Sequence, residues 1–268
     1  MLFSILIAHY NNYNYFLDCY KSILEQTYQN FEVIIVDDHS TDDSFDKIKE
    51  LTKDDARFRL FRNDVNKGVG YTKRRCAENA SGKICGFIDP DDAIAENALA
   101  ELLKHFSSDK ISAVYSQLQI CDGQLVPQKI YASPKQVKNN DNLFFNIFLE
   151  VNHFFSFRKD AYEKTSGINQ DLTSAVDQDL YMKLYETGEV KFIKKPLYLY
   201  RIHDKGVSQA KSKKGKLNEN WHKVLSHTVT RRNITKLYGK PVSEIQNLPE
   251  FIFQKQNSFL NKLLRKFL

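Results

Sequence analysis

The sequence predicts an α/β fold, a mixed, mainly parallel sheet flanked by helices with a helical tail at the C-terminus. Three observations carry that reading. Over the first hundred residues, strand-sized apolar runs alternate with helical stretches of about ten to fifteen residues, the pattern of βαβ units covered on both faces. Those runs end abruptly in polar residues, and in open α/β sheets ligands bind outside the carboxyl ends of the strands. After His203 the composition turns polar and basic, which puts a boundary near 205–216. The expected organisation is a catalytic-sized region, 1–205, with halves 1–110 and 111–205, and a basic helical extension, 206–268.

Residues 3–8 form a short apolar run, a buried first strand. Within 14–27, Phe16, Leu17, Tyr20, Ile23 and Leu24 recur at helical spacing. Residues 32–36 are apolar and β-branched, and stop at Asp37 and Asp38. A helix over 41–53, a short strand over 58–61 and a helix over 70–80 closed by Ser81 and Gly82 follow. Residues 84–88 are a buried strand running into Asp89, Pro90, Asp91 and Asp92. Further on, 112–126 reads as a hairpin about Asp122 and Gly123, 141–151 as a helix, 153–157 as a strand and 179–187 as a helix stopped by Gly188. Two strand-like runs, 190–193 and 197–203, flank Pro196.

Bulk composition narrows the class. A hydrophobic fraction of 42% and an aromatic fraction of 13% suit a folded globular chain and exclude disorder. No apolar run is long enough to span a bilayer, and the opening residues lack the basic and small-residue features of a signal peptide. The four cysteines are scattered without a C-x-x-C pair, so neither zinc nor a disulfide framework is expected, and a reducing cytoplasm is the default. From position 205 onward there are 14 Lys and Arg against 3 Asp and Glu, a balance of +11, while the rest of the chain carries −5. A basic tail on an acidic body points to an anionic surface as partner.

Asp89, Asp91 and Asp92 are the most informative cluster. Three carboxylates at one strand end repel each other, and a hard divalent cation, Mg²⁺ or Mn²⁺, relieves that repulsion while binding nucleotide phosphates. An isolated D-P-D-D is more often a solvated turn with Pro90 at its corner. Its place after a buried strand and beside the acidic end of 32–36 favours the metal reading. Asp37 and Asp38 could accept hydrogen bonds from a base or ribose, with Ser40 and Thr41 capping the next helix, or the whole stretch could be a cap alone. Tyr10 could stack on a nucleobase or simply pack. Lys73, Arg74 and Arg75, after Asn66, Lys67 and Gly68, put cations near phosphates, or form a solvated helix face. Neither G-x-G-x-x-G nor a P-loop is present.

Together these segments resemble family 2 glycosyltransferases of the GT-A, Rossmann-like fold. The resemblance rests on the stretch from Ser4 to Asn11, on Ser22 to Thr27, on Phe31 to Ser40, on Asn66 to Gly70 and on Phe87 to Asp92. It continues through Gly167, Ile168 and Asn169, through Val176 to Leu180, and through Tyr200, Arg201, Ile202 and His203, in the family's order over about three quarters of the chain, and ends near position 208. It implies an inverting transfer from a nucleotide-sugar, most often a UDP-sugar, to an acceptor hydroxyl in glycan or cell-surface polysaccharide synthesis. It implies that Ala8 and Tyr10 border the base and Asp38 binds it. Asp89 would serve ribose and metal, Asp91 the metal, Lys73 the phosphate side, Asp177 would be the catalytic base, and His203 a further metal or diphosphate contact. Two positions depart from the pattern: Val176 stands where Glu usually precedes the catalytic Asp, and Lys73 stands where Arg is common.

The chemistry asks for these residue types. Attack of a hydroxyl on a sugar C1 passes through an oxocarbenium-like state while a diphosphate leaves. A cation stabilises the departing charge, and a carboxylate on the opposite face takes the acceptor's proton. Asp177, opening a helix, would be kept ionised by the helix dipole; its rival Asp179 reads as a first-turn helix acid. His9, His39 and His153 read as structural or rim residues, and Trp221 as a packing anchor.

In the tail, 251–268 can be wound as a helix with Phe253, Leu260, Leu264 and Phe267 on one face and Lys255, Lys262 and Lys266 opposite. Such a helix could lie on the inner face of a membrane, near a lipid-linked acceptor, or pack on the body or on a second subunit as a homodimer contact. Nucleic acid is not expected, because the aromatics are not interleaved with the basic residues. Two other classes stay open on the residues alone: a metal-dependent nucleotidyltransferase and a non-catalytic, Mg²⁺-binding receiver-like module.

Overall fold

The computed structural model describes residues 1–203 and 214–258. Its centre is a nine-stranded mixed sheet. The first half supplies β1 (Phe3–His9), β2 (Phe31–Asp37), β3 (Phe58–Arg62) and β4 (Ile84–Phe87), interleaved with α1 (Tyr13–Leu24), α2 (Ser44–Thr52) and α3 (Val69–Asn79). These four strands are parallel in the order β3-β2-β1-β4, so their carboxyl ends share one edge of the sheet. The period-two alternation of a sheet divides their side chains between two faces. Phe3, Ile5, Ile7, Val33 and Ile35 enter one core cluster with Phe16 and Ile23 of α1, while Leu6, Ile34 and Val36 enter the other with Cys76 and Ala77 of α3. At about 1.5–3 kcal/mol per buried large apolar side chain, this two-sided burial holds the half together.

The second half of the sheet begins at residue 93, ahead of the 110/111 division expected from the sequence, with β5 (Ala93–Ile94), β6 (Ile111–Cys121), β7 (Pro127–Ile130), β8 (Ser156–Arg158) and β9 (Glu189–Arg201). β8 lies antiparallel between β4 and β6, β9 runs parallel to β6, and β5 pairs antiparallel with the end of β9. Three short helices complete it: α4 (Ala98–Leu103), α5 (Lys159–Glu163) and α6 (Val176–Tyr185).

Several expectations are corrected here. The helix expected over 141–151 does not form. Asn140, Asn146 and Leu149 take positive φ, and the Asn146 carboxamide bonds both the N–H and the C=O of Val151, so side-chain bonding replaces the helical ladder. The runs on either side of Pro196 are one strand, β9, with register shifts against β6 near Pro196. β5, α4 and α5 were not anticipated. Ser40 and Thr41 do not cap α2, which starts at Ser44; they bond Asp37 and Asn11 instead.

The C-terminal helix α7 (Lys214–Arg231) and α8 (Leu248–Gln256), with a two-strand turn between them, β10 (Lys236–Leu237) and β11 (Lys240–Pro241), pack onto the second half. Leu225, Val229, Leu237, Leu248 and Ile252 share a core with Phe145 and Ile147, with Trp221 packed against it. Asn220 bonds Thr173 and Ser174, and Arg231 and Arg232 pair with Glu186. In α8 the buried face is Leu248 and Ile252, while Phe253, expected on the apolar stripe, is exposed; residues 259–268 of that expected helix lie outside the described residues. Among the described residues no helix is long and apolar enough to cross a membrane.

Candidate active site

The parallel ends of β1, β2 and β4 place Tyr10, Asp38 and Asp89 along one edge, as the strand order requires. The second half reaches the same edge by the opposite direction. β8 is antiparallel to β4, so the residues before β8 stand opposite the residues after β4, which brings His153 to Asp89. β5 is antiparallel to β9, so the end of β9 returns to the acidic turn, which brings Arg201 and His203 to Asp91 and Asp92.

The three carboxylates of the turn have different surroundings. Asp92 is buried and accepts from the Tyr198 hydroxyl at 2.8 Å and from the Arg201 backbone N–H at 2.8 Å. Burial, with Asp91 and Asp89 beside it, pushes its carboxyl well above the usual range, so it serves as a fixed hydrogen-bonding post. Asp91 is partly exposed and lies 2.9 Å from His203 Nε2; the His203 ring lies tilted against Tyr15, and its buried Nδ1 has no partner among the described residues. Arg201 is buried and donates to the Asp91 and Gly123 carbonyls and to Asp18, which braces the turn from behind.

Asp89 faces the other way. Its Oδ1 is 2.9 Å from Lys73 Nζ, and its backbone N–H donates to the Tyr198 hydroxyl. Burial favours the neutral acid, but Lys73 and then His153 outweigh it and hold the carboxyl below its usual value. Lys73, itself 4% exposed, also donates to Asp177 Oδ1 at 2.8 Å. Burial works against its charge, yet the two carboxylates raise its pKa. Lys73 thus bridges the acidic turn to the N-terminus of α6. Arg74 and Arg75 turn elsewhere, to Glu78 and the carbonyls of Ser166 and Ile168, and to Asn63 and the Arg62 carbonyl.

Asp177 and Asp179 are separated by environment. Asp179 is fully buried, paired with Lys183 at 2.7 Å and accepting from the Asn169 N–H, which makes it structural. Asp177 keeps a side chain 31% exposed at the crevice. Tyr181, one turn further along that face, has a buried hydroxyl without a partner among the described residues.

At the end of β2, Asp38 accepts from Asn63 Nδ2 and from the N–H groups of Lys67 and Gly68, so its carboxylate shapes the 63–68 loop beside the crevice. Asp37 is buried against His9 and Ser40. Burial would raise its pKa, but those bonds hold it below the usual range. Ala8 is half-buried, whereas Tyr10 is 44% exposed, its ring open to stacking. His9 is a core partner of Asp37, and His39 bonds the Asn63 carbonyl. His153, expected as a structural or rim residue, stacks on Tyr198 with centroids 4.9 Å apart and approaches Asp89 to 3.9 Å, brought there by its position just before a strand antiparallel to β4.

The model of the family described as "Glycosyl transferase family 2" matches residues 4–166. The chain is 30% identical over 261 residues to a chondroitin synthase of Escherichia coli, covering 95% of this chain and 36% of that one. It is 28% identical over 265 residues to a hyaluronan synthase of Pasteurella multocida, covering 98% of this chain and 26% of that protein. It thus spans about a third or less of these relatives. Its fold matches that of S. aureus TarS 1–349 in complex with UDP-GlcNAc, with TM-score 0.72 and 22% identity over 96% of this chain and 73% of that one. It also matches a Pyrobaculum calidifontis mannosyltransferase in complex with GDP-Man and Mn²⁺, with TM-score 0.62 and 15% identity over 99% of this chain and 78% of the other. These matches leave the nucleotidyltransferase and receiver-like alternatives without support. With a GT-A-type sheet, an acidic turn at its carboxyl edge and a family match over more than half its length, the chain belongs to glycosyl transferase family 2.

Proposed function

We propose that this chain is an inverting, metal-dependent glycosyltransferase that moves a sugar from a UDP-sugar to the hydroxyl of a glycan acceptor. One observation carries the proposal: a crevice-facing carboxylate on α6, Asp177, stands across Lys73 from Asp89, while Asp91 and His203 meet on the far side of the same turn. That arrangement separates a proton acceptor from a diphosphate site. A UDP donor is supported by the TarS match, and a polysaccharide acceptor by the synthase relatives.

The residues fit a divalent cation in part. Asp91 Oδ2 and His203 Nε2 converge at 2.9 Å, and an oxygen and nitrogen set suits Mn²⁺. Among the described residues no third such ligand is grouped with them, so phosphate oxygens and water would have to complete the shell. When bound, the ion would supply Lewis-acid stabilisation of the departing diphosphate. The protein's own groups do the rest: Tyr10 and Ala8 border the base, the Asp38-held loop fixes its rim, Asp89 holds the ribose side, and Asp177 accepts the acceptor's proton as its oxygen bonds to C1. A single base without a nucleophile gives inversion.

A thermal-shift screen of nucleotide sugars, each with and without Mn²⁺, tests the reading. A UDP-sugar at 100 times its Kd should stabilise the fold by about 2.7 kcal/mol, and His203→Ala should remove the Mn²⁺-dependent part. Equal shifts from ATP or CTP and no response to UDP-sugars would refute it.

A further inference from the structure

Lys73 has neighbours in the crevice that its sequence neighbourhood does not suggest. A cation after an Asn-Lys-Gly loop reads as a phosphate ligand, yet its ammonium sits over the Phe87 ring and between carboxylates of two different halves of the molecule. The frame around it is tight. The Gly70 N–H donates to the Leu172 carbonyl at 3.1 Å, and a Cβ at Gly70 would stand 2.6 Å from that oxygen and 2.7 Å from the Asn169 carbonyl. The start of α3 is thus pressed against 169–172, the segment that leads into α6. Asn169 is in turn anchored to Asp179. Lys73, one turn along α3 from Gly70, therefore meets Asp177 at a position set by backbone packing, not by a flexible reach.

From this geometry we infer that Lys73 is a positioning residue that tethers Asp177 to the donor-side carboxylate Asp89 and so sets the distance between the proton acceptor and the sugar. The inference rests on Asp177 being the base in the proposed reaction. A general base acts only within about 2.6–3.2 Å of the proton it takes, and a misplacement of about 1 Å can cost about 10²-fold in rate. Without the ammonium, Asp89 and Asp177 would lose the partner they share, and repulsion between the two carboxylates would move Asp177 away from the donor.

The test compares wild type, Lys73→Met and Lys73→Arg in the full chain. Uridine and UDP affinities are measured by calorimetry with Mn²⁺, kcat and KM with the UDP-sugar found by the screen, and folding by thermal melts. The tether predicts that Lys73→Met lowers kcat about 10²-fold, leaves the ratio of UDP to uridine affinity within about threefold of wild type, and that Lys73→Arg, which keeps a cation between the acids, recovers most of the lost kcat. A selective loss of UDP affinity of about tenfold or more, with uridine unchanged, would make Lys73 a phosphate ligand and overturn the tether. An unchanged kcat in a folded Lys73→Met would overturn it as well. Should Lys73→Met fail to fold, the Arg variant decides: a folded Lys73→Arg must retain the wild-type ratio of UDP to uridine affinity. If wild type itself binds neither uridine nor UDP, the proposed function fails, a result distinct from any of these.

Discussion

The two halves of the sheet bring residues to one crevice by different rules. In the first half every strand is parallel, each strand's carboxyl end lies at the same edge, and a residue that directly follows an apolar run is at the site by construction. In the second half β8 and β5 run against their neighbours, so the site is fed by the residue before one strand, His153, and by those at the end of another, Arg201 and His203. The first half offers a fixed row of polar groups. The second supplies the group that does the proposed chemistry, on a helix whose position depends on loops.

Breaking that division most directly is Asp177→Asn. The substitution removes the proton acceptor and leaves the shape, so transfer should fall about 10²–10⁴-fold while UDP binding stays near wild type. Rate measurement alongside calorimetry checks both. Retained transfer would move the base elsewhere in the crevice.

The same contrast explains what was legible in the sequence. The four parallel strands, α1, α3 and the acidic turn were readable because apolar periodicity and abrupt polar ends coincide there. The irregular stretch before β8 was not, because Asn146 satisfies backbone groups with its own side chain and leaves no period to read. Asp177 was separable from Asp179 largely by resemblance; burial and the Lys183 pair set the two apart on physical grounds. Lys73 was seen as a cation near the site, but its two partners lie 16 and 104 positions away, a relation that no local spacing encodes.

The next effect sharpens the claim that α6 is held by its own scaffold. Lys183 is buried, donating to Asp179 at 2.7 Å and to the Gly167 carbonyl at 2.6 Å. Lys183→Met would strand the Asp179 carboxylate in the core, and removing one partner of a buried pair costs about 3–5 kcal/mol. Denaturant unfolding should show that loss, and adding Asp179→Asn should return part of it. A loss below about 1 kcal/mol would mean that Asp179 is compensated by its backbone donor alone.

The smallest expected effect falls where the halves touch. Gly70 has an ordinary helical conformation, so alanine there is penalised by space alone: its Cβ would lie 2.6 Å from one carbonyl oxygen and 2.7 Å from another, and both belong to backbone that cannot rotate away. In an exposed helix interior Gly→Ala would be stabilising by roughly 0.5–1 kcal/mol, so the sign of the measured change reports the contact directly. Relief requires α3 to shift from 169–172, at a cost of about 1–3 kcal/mol in unfolding free energy. That shift carries Lys73 with it and changes the angle at which it meets Asp177, while the 63–68 loop, although it leads straight into α3, is held on its other side by its bonds to Asp38. Gly70→Ala should therefore lower kcat more than it weakens UDP binding. If it weakened UDP binding equally, α3 would belong with the nucleotide row, and the division between the two halves would have to be redrawn at Lys73.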